Sequence, residues 1–272
     1  MSVDLSGNAV IVTGGTRGLG KAIGMEFSRI GATVFLTHRW GSVAEAELRA
    51  EFEQAGLSEP HIVESDVSDP QATRALMRAV RDQQTRLIAV VSNVAFAKVV
   101  DSVHDLKRES LELSLRYSAW PIIDLLSAAH ETLGHYPRYG LAISTDGGQL
   151  CHPGYDMVGI AKSALETLCR YLAVHLRAEG VRINAIRCGP IDTDSLRATF
   201  GTDVLDLELP GPMLLDPHSV GRACVALCSG LLDSVTGQVI TVDEGLSLLS
   251  PVTYLTGRGW PGAFPADTPE NR

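Results

Sequence analysis

The sequence predicts an α/β fold: a single domain built on one doubly wound, seven-stranded parallel sheet with helices on both faces. Three observations carry that reading. Short apolar runs alternate with amphipathic, helix-period stretches from one end of the chain to the other. The runs are apolar at nearly every position rather than at every second one, the pattern of strands covered on both faces. The first run also leads directly into a glycine-rich turn that opens a helix.

In chain order, strands are predicted at Ala9–Thr13, Thr33–Thr37, His61–Glu64, Leu87–Ser92, Leu141–Ser144, Arg182–Ile186 and Val239–Val242. Between them, Leu19–Ile30, Val43–Ala55, Gln71–Asp82, Leu111–Leu133 and Gly159–Arg177 read as helices, and a last helix precedes the final strand. A strand followed each time by a helix implies parallel pairing. The ligand crevice of such a sheet lies at the carboxyl ends of its strands.

The rhythm stalls twice. From Thr193 to Pro217 the chain is irregular and holds Pro210, Gly211, Pro212 and Pro217. Its place beyond a strand's carboxyl end predicts a lid over the crevice. From Ser250 to Arg272 the composition turns to Pro, Gly, Thr and charge, which reads as a tail, either disordered or lying on a partner subunit. Residues 1–249 are thus expected to form one domain, and 250–272 the tail.

Composition narrows the function. The 272 residues are 45% hydrophobic and 20% charged, as expected of a globular chain with a sizeable core. A formal net charge of −9 argues against nucleic acid or anionic lipid as partner. No run reaches the roughly 18 apolar residues of a membrane span, and the N-terminal Met-Ser-Val-Asp-Leu-Ser-Gly lacks the features of a secretory signal. A cytoplasmic location is expected. The five cysteines, Cys151, Cys169, Cys188, Cys224 and Cys228, are odd in number and read as reduced, buried thiols, with no metal-ligand spacing.

The first strand runs into Thr13-Gly14-Gly15-Thr16-Arg17-Gly18-Leu19-Gly20. Gly14 permits a tight turn, Gly18 lets backbone approach a pyrophosphate and Gly20 allows close helix–strand packing. The helix N-terminus then offers amides and a partial positive charge to phosphate. In this position the pattern marks the dinucleotide loop of a Rossmann fold. An acid at the end of the second strand would bind the ribose hydroxyl of NAD, but the chain reads Thr37-His38-Arg39-Trp40. Arg17 and Arg39 suit a 2′-phosphate, so NADP(H) is the expected cofactor. Asp66-Val67 stands where an aspartate reaches the adenine amino group, and Ser92-Asn93-Val94-Ala95 where Asn93 braces the sheet and small residues admit the ribose.

The segment Tyr155-Asp156-Met157-Val158-Gly159-Ile160-Ala161-Lys162 opens the helix after the fifth strand. A separation of seven is near two helical turns, so both polar residues share a face. The Lys162 ammonium is expected to lower the Tyr155 pKa and to hold the nicotinamide ribose.

From about residue 8 to 249 the chain resembles the short-chain dehydrogenase/reductases. Most of that family place Tyr four residues before Lys, which here is Val158. The spacing instead is similar to the divergent enoyl-acyl-carrier-protein reductases. Arg170-Tyr171-Leu172-Ala173-Val174, Ile191-Asp192-Thr193-Asp194-Ser195-Leu196 and Gly237-Gln238-Val239-Ile240-Thr241-Val242-Asp243 resemble their type III members. The resemblance implies NADPH-dependent reduction of a double bond conjugated to a thioester, with Tyr155 stabilising the enolate. It implies a second hydroxyl from Thr145 or Ser144, and nicotinamide contacts from the loop containing Pro190, Ile191 and Thr193. Ser118 in place of a helix Asn, and Asp243-Glu244-Gly245 in place of Asp-Gly-Gly, point to a specialised relative with a polyketide-type or other secondary-metabolite substrate, free or carrier-bound.

Two other functions fit the same residues. A ketoreductase would use Tyr155 to protonate an alkoxide, and a nucleotide-sensing protein would keep the fold without turnover. The family's habit of pairing through helices implies a homotetramer or homodimer.

Overall fold

The computed structural model describes residues 3–39, 44–191, 193, 196–197 and 214–249. Its strands are β1 Asn8–Val12, β2 Thr33–His38, β3 His61–Glu64, β4 Arg86–Ser92, β5 Tyr139–Thr145, β6 Arg182–Cys188 and β7 Val239–Val242. They form one seven-stranded sheet in the order β3-β2-β1-β4-β5-β6-β7. Every pairing is parallel; Ile11 lies opposite Phe35 on one side and Val90 on the other. Strand order reverses between β1 and β4, which opens the ligand crevice at their carboxyl ends.

The helices are α1 Gly18–Arg29, α2 Glu45–Gln54, α3 Pro70–Asp82, α4 Arg108–Ser118, α5 Pro121–Leu133, α6 Asp156–His175 and α7 Pro217–Leu227. Alternation along the strands divides the core in two. Val10 and Val12 face Ile23, Phe27, Phe52 and Val220 on one side of the sheet. Ala9 and Ile11 face Met77, Ile122 and Leu165 on the other. That two-sided burial is why the strands are apolar throughout.

Local chemistry sets the helix starts. Asp69 and Asp216 each accept a hydrogen bond from the amide two residues on, and each precedes a proline at the first helical position. Pro217, expected to belong to the irregular stretch, is therefore the first residue of α7. The helix expected over Leu111–Leu133 is two helices. Pro121 has no N–H to donate and its ring would clash with a carbonyl of the preceding turn, so α4 closes with the amides of Ala119 and Trp120 on Leu115 O.

All five cysteines are free, and Cys151 is exposed where a buried thiol was expected; the other four lie in the interior. Of the expected lid, residues 192, 194–195 and 198–213 lie outside the described residues, as do 250–272 of the tail. The two ends of that stretch meet: Ile191 bridges Leu215, whose amide donates to Pro190 O at 2.9 Å. Among the described residues, no helix is long and apolar enough to cross a membrane.

Candidate active site

The glycine turn is held open by its neighbours. Gly14 and Gly18 take φ of +60° and +51°, which favour glycine. Gly20 lies so close to the turn that a Cβ there would fall 2.2 Å from Gly14 O. The amides of Gly14 and Gly15 donate to Thr37 Oγ1 at 3.4 Å and Thr37 O at 3.0 Å, tying the turn to β2. Asn93 ties it to β4: its side-chain amide donates to Thr13 O at 3.0 Å and Gly14 O at 3.3 Å, while its backbone N–H donates to Thr13 Oγ1 at 2.9 Å.

Three features fit a dinucleotide. A Cβ on Gly14 would lie 3.1 Å from Val94 Cγ2, and one on Gly18 3.4 Å from Thr193 Cγ2, so side chains would fill this cradle. Arg17 stands at the N-cap of α1, and no side chain caps that first turn. His38 Nδ1, at the end of β2, is buried without a hydrogen-bond partner among the described residues. Thr16 is buried in the turn, and Ala95 is exposed beyond it. Leu19 packs its side chain against the core, and Ile191 is buried in the same core. Val67 is buried and Pro190 half-buried, at the ends of their strands.

Arg39 and Asp66, expected to bind separate parts of the cofactor, form an ion pair, with Nε and Oδ2 2.7 Å apart. Parallel pairing of β2 with β3 brings the two strand ends together.

Tyr155 is the N-cap residue of α6, and Thr145 ends β5 beside it. Their side chains are hydrogen-bonded. Burial raises the phenol's pKa above its ordinary 10, and the Thr145 bond only partly offsets this. The expected lowering by Lys162 is absent. Lys162 is 1% exposed and donates from Nζ to Ile143 O at 2.6 Å; burial pushes its pKa down to about 8. Both groups therefore hold their protons weakly or strongly according to burial, not to each other.

Ser144 does not join Thr145 at the tyrosine. Successive strand residues face opposite sides, and Ser144 is fully buried, donating to Glu166 Oε1 at 2.7 Å. Arg187 closes this cluster through Nε to Glu166 Oε1 at 3.0 Å and Nη2 to Oε2 at 2.7 Å. The candidate hydroxyl is Thr145.

Sequence reading missed the wall around Tyr155. A Cβ on Gly147 would fall 2.6 Å from the ring. His152 lies edge-on to the same ring, with centroids 5.9 Å apart, and pairs with Asp146 at 3.1 Å. A cleft of about 350 Å³, lined by Val100, Ser102, Cys151, His152, Pro153 and Asp156, opens beside this segment. Among the described residues, no cluster of His, Cys, Asp or Glu is arranged to hold a metal ion.

A family model described as enoyl-(acyl carrier protein) reductase matches residues 14–247. The chain belongs to this family. It is 29% identical to the 1-cyclohexenylcarbonyl-CoA reductase of Streptomyces collinus, over 89% of this chain and 87% of that protein. It is 28% identical to the NADPH enoyl-[acyl-carrier-protein] reductase FabI of Staphylococcus aureus strain MRSA252, over 84% and 91%. The solved NADH enoyl-[acyl-carrier-protein] reductase of Aquifex aeolicus superposes with a TM-score of 0.78 at 27% identity, covering 90% of this chain and 98% of that one. Family relatives are thus oxidoreductases using either nicotinamide cofactor. In this member of the family, the glycine turn, Asn93, Tyr155 and Lys162 sit at the carboxyl ends of β1, β4 and β5, where the fold places its ligand crevice.

Proposed function

We propose that the protein is an NADPH-dependent reductase of an enoyl thioester. The observation that carries the reading is the hydrogen-bonded Tyr155–Thr145 pair at the carboxyl end of β5, in a sheet whose first crossover is the glycine turn. When bound, the nicotinamide cofactor supplies the hydride. The chain's residues handle the charge that appears on the substrate. The Tyr155 hydroxyl, kept protonated by burial, donates a hydrogen bond to the thioester oxygen as it becomes an enolate. Thr145 orients that hydroxyl, and Gly147 and His152 confine the ring.

Arg17 and Arg39 support the phosphorylated cofactor: a guanidinium suits a ribose phosphate, and the first carboxylate after β2 in sequence is Glu45, seven residues beyond the strand. A polyketide-type or fatty-acid acyl substrate belongs to the same reading, by likeness to the enoyl-thioester reductases above. Self-association as a homodimer or homotetramer belongs to the same reading, supported by Tyr171 and Val174, exposed on α6.

The test is consumption of NADPH across a panel of enoyl thioesters and ketones, with mass analysis of every product. Saturated thioesters are expected. Alcohols formed only from ketones would replace this reading with a ketoreductase, and no product from any substrate would favour a nucleotide sensor. Tyr155→Phe keeps the ring and removes one oxyanion donor, so turnover is expected to fall about a hundredfold, roughly 3 kcal/mol, with NADPH affinity nearly unchanged.

A further inference from the structure

The ion pair between Arg39 and Asp66 is part of a larger arrangement that reaches α4. The Arg39 guanidinium also lies over the ring of Tyr117, 4.9 Å from its centroid. Tyr117 is itself held. Ser68 Oγ donates to its hydroxyl at 3.0 Å, and that hydroxyl faces Asp66 Oδ2 at 3.4 Å. The Ser68 amide donates to Asp66 Oδ1 at 2.8 Å, closing a ring of three residues. Phe96 packs beside Tyr117, with centroids 6.0 Å apart, and donates its amide to Ser118 Oγ at 2.9 Å, anchoring this end of α4 to the segment after β4.

Arginine is a long side chain with many rotamers, and a carboxylate alone leaves the guanidinium plane free to turn about the contact. The ring face removes that freedom, since attraction to its negative face holds the cation flat against it. Two constraints of different kind, a carboxylate at Nε and an aromatic face beneath Cζ, fix where the fork points. Asp66 adds a reason for the arrangement. Without Arg39 its carboxylate would stand at the ribose end of the crevice and repel a phosphate there.

We propose that Tyr117 is a positioning residue for cofactor selectivity. Its ring holds Arg39 in the orientation that admits a nucleotide carrying a phosphate on the adenosine ribose. The inference rests on the NADPH reading above and assigns its selectivity to a residue on α4 as well as to the arginines.

The test titrates the full chain with 2′,5′-ADP and with 5′-AMP by calorimetry. The unaltered protein is expected to prefer 2′,5′-ADP. Tyr117→Leu removes the ring and is expected to weaken 2′,5′-ADP by about tenfold while leaving 5′-AMP within about twofold. Tyr117→Phe keeps the ring and is expected to hold the ratio within about twofold of the parent. Equal weakening of both probes in Tyr117→Leu would make Tyr117 a general part of the pocket and overturn the proposal. Equal losses in the Phe and Leu variants would overturn it as well, because the hydroxyl and not the ring would then be responsible. Thermal unfolding is followed alongside; if the Leu variant does not fold, Tyr117→Met makes the same comparison with more of the packing retained. Arg39→Ala is titrated in parallel. A ratio unchanged in Arg39→Ala defeats the NADPH reading of Arg39, whereas a ratio lost there but kept in Tyr117→Leu defeats only the role of Tyr117.

Discussion

Gly147 and the ring of Tyr155 are in contact with no room for a side chain between them, since a Cβ on Gly147 would fall 2.6 Å from both Cδ1 and Cε1. Gly147→Ala is therefore expected to push the ring out of line with its substrate. Misplacement by about an ångström costs on the order of a hundredfold in rate. Steady-state kinetics beside thermal unfolding checks this; full activity in the variant would show that the ring position is not critical.

Thr145 and Ser144 are neighbours on β5 with opposite fates. Thr145→Val removes the hydrogen bond to Tyr155 and is expected to lower turnover by about tenfold, with a stability loss of about 1 kcal/mol because the same hydroxyl accepts the Gly147 amide. Ser144→Ala takes one donor from buried Glu166 and is expected to cost roughly 1–2 kcal/mol of stability in urea unfolding. A loss of turnover in Ser144→Ala with none in Thr145→Val would mean that Ser144 serves the substrate.

The Glu166–Arg187 pair is nearly inaccessible, with side-chain exposures of 7% and 11%. Arg187→Met leaves a buried carboxylate without its cation and is expected to destabilise the protein by about 3–5 kcal/mol. Adding Glu166→Gln to that variant should recover much of the loss, because the uncompensated charge is then gone. A double-mutant cycle in urea measures the coupling; additive losses would show that the pair contributes no more than its separate packing.

Lys162 is buried, and its pKa falls from an ordinary 10.5 to about 8. The unfolded chain therefore binds more protons between those values. The Lys162 contribution to stability is expected to rise with pH through this window, by roughly 3 kcal/mol, as the charge that burial disfavours is lost. The buried thiols of Cys169, Cys188, Cys224 and Cys228, whose pKa values are raised, oppose it above pH 9 in parent and variant alike. Lys162→Met has no such proton, so its stability relative to the parent should decline from pH 7 to pH 10. Parallel pH dependence of the two urea midpoints would mean that Lys162 is not strained by burial.

Much of the fold was legible because it rests on rules that act within a few residues. Val10 and Val12 on one side of the sheet, with Ala9 and Ile11 on the other, account for a strand apolar throughout. Gly14 and Gly18 mark the turn because a backbone with positive φ needs them there. The break before Pro121 was equally local, and the proline was its signal; the apolar periodicity that continues across it concealed the boundary.

Sequence by itself thus determined the parallel α/β sheet, the glycine turn at its first crossover and the Tyr155–Lys162 spacing, since periodicity and backbone conformation are written locally. Tertiary structure alone decided the partners of each polar group. Asp66 meets Arg39 because β3 docks beside β2, and Tyr117 meets both because α4 ends over that corner. Ser144 turns to Glu166 because α6 lies on its face of β5, while Thr145, one residue on, reaches Tyr155. These contacts join residues far apart in the chain, and the burial that sets the charge of Lys162 exists only once the helices close over the sheet.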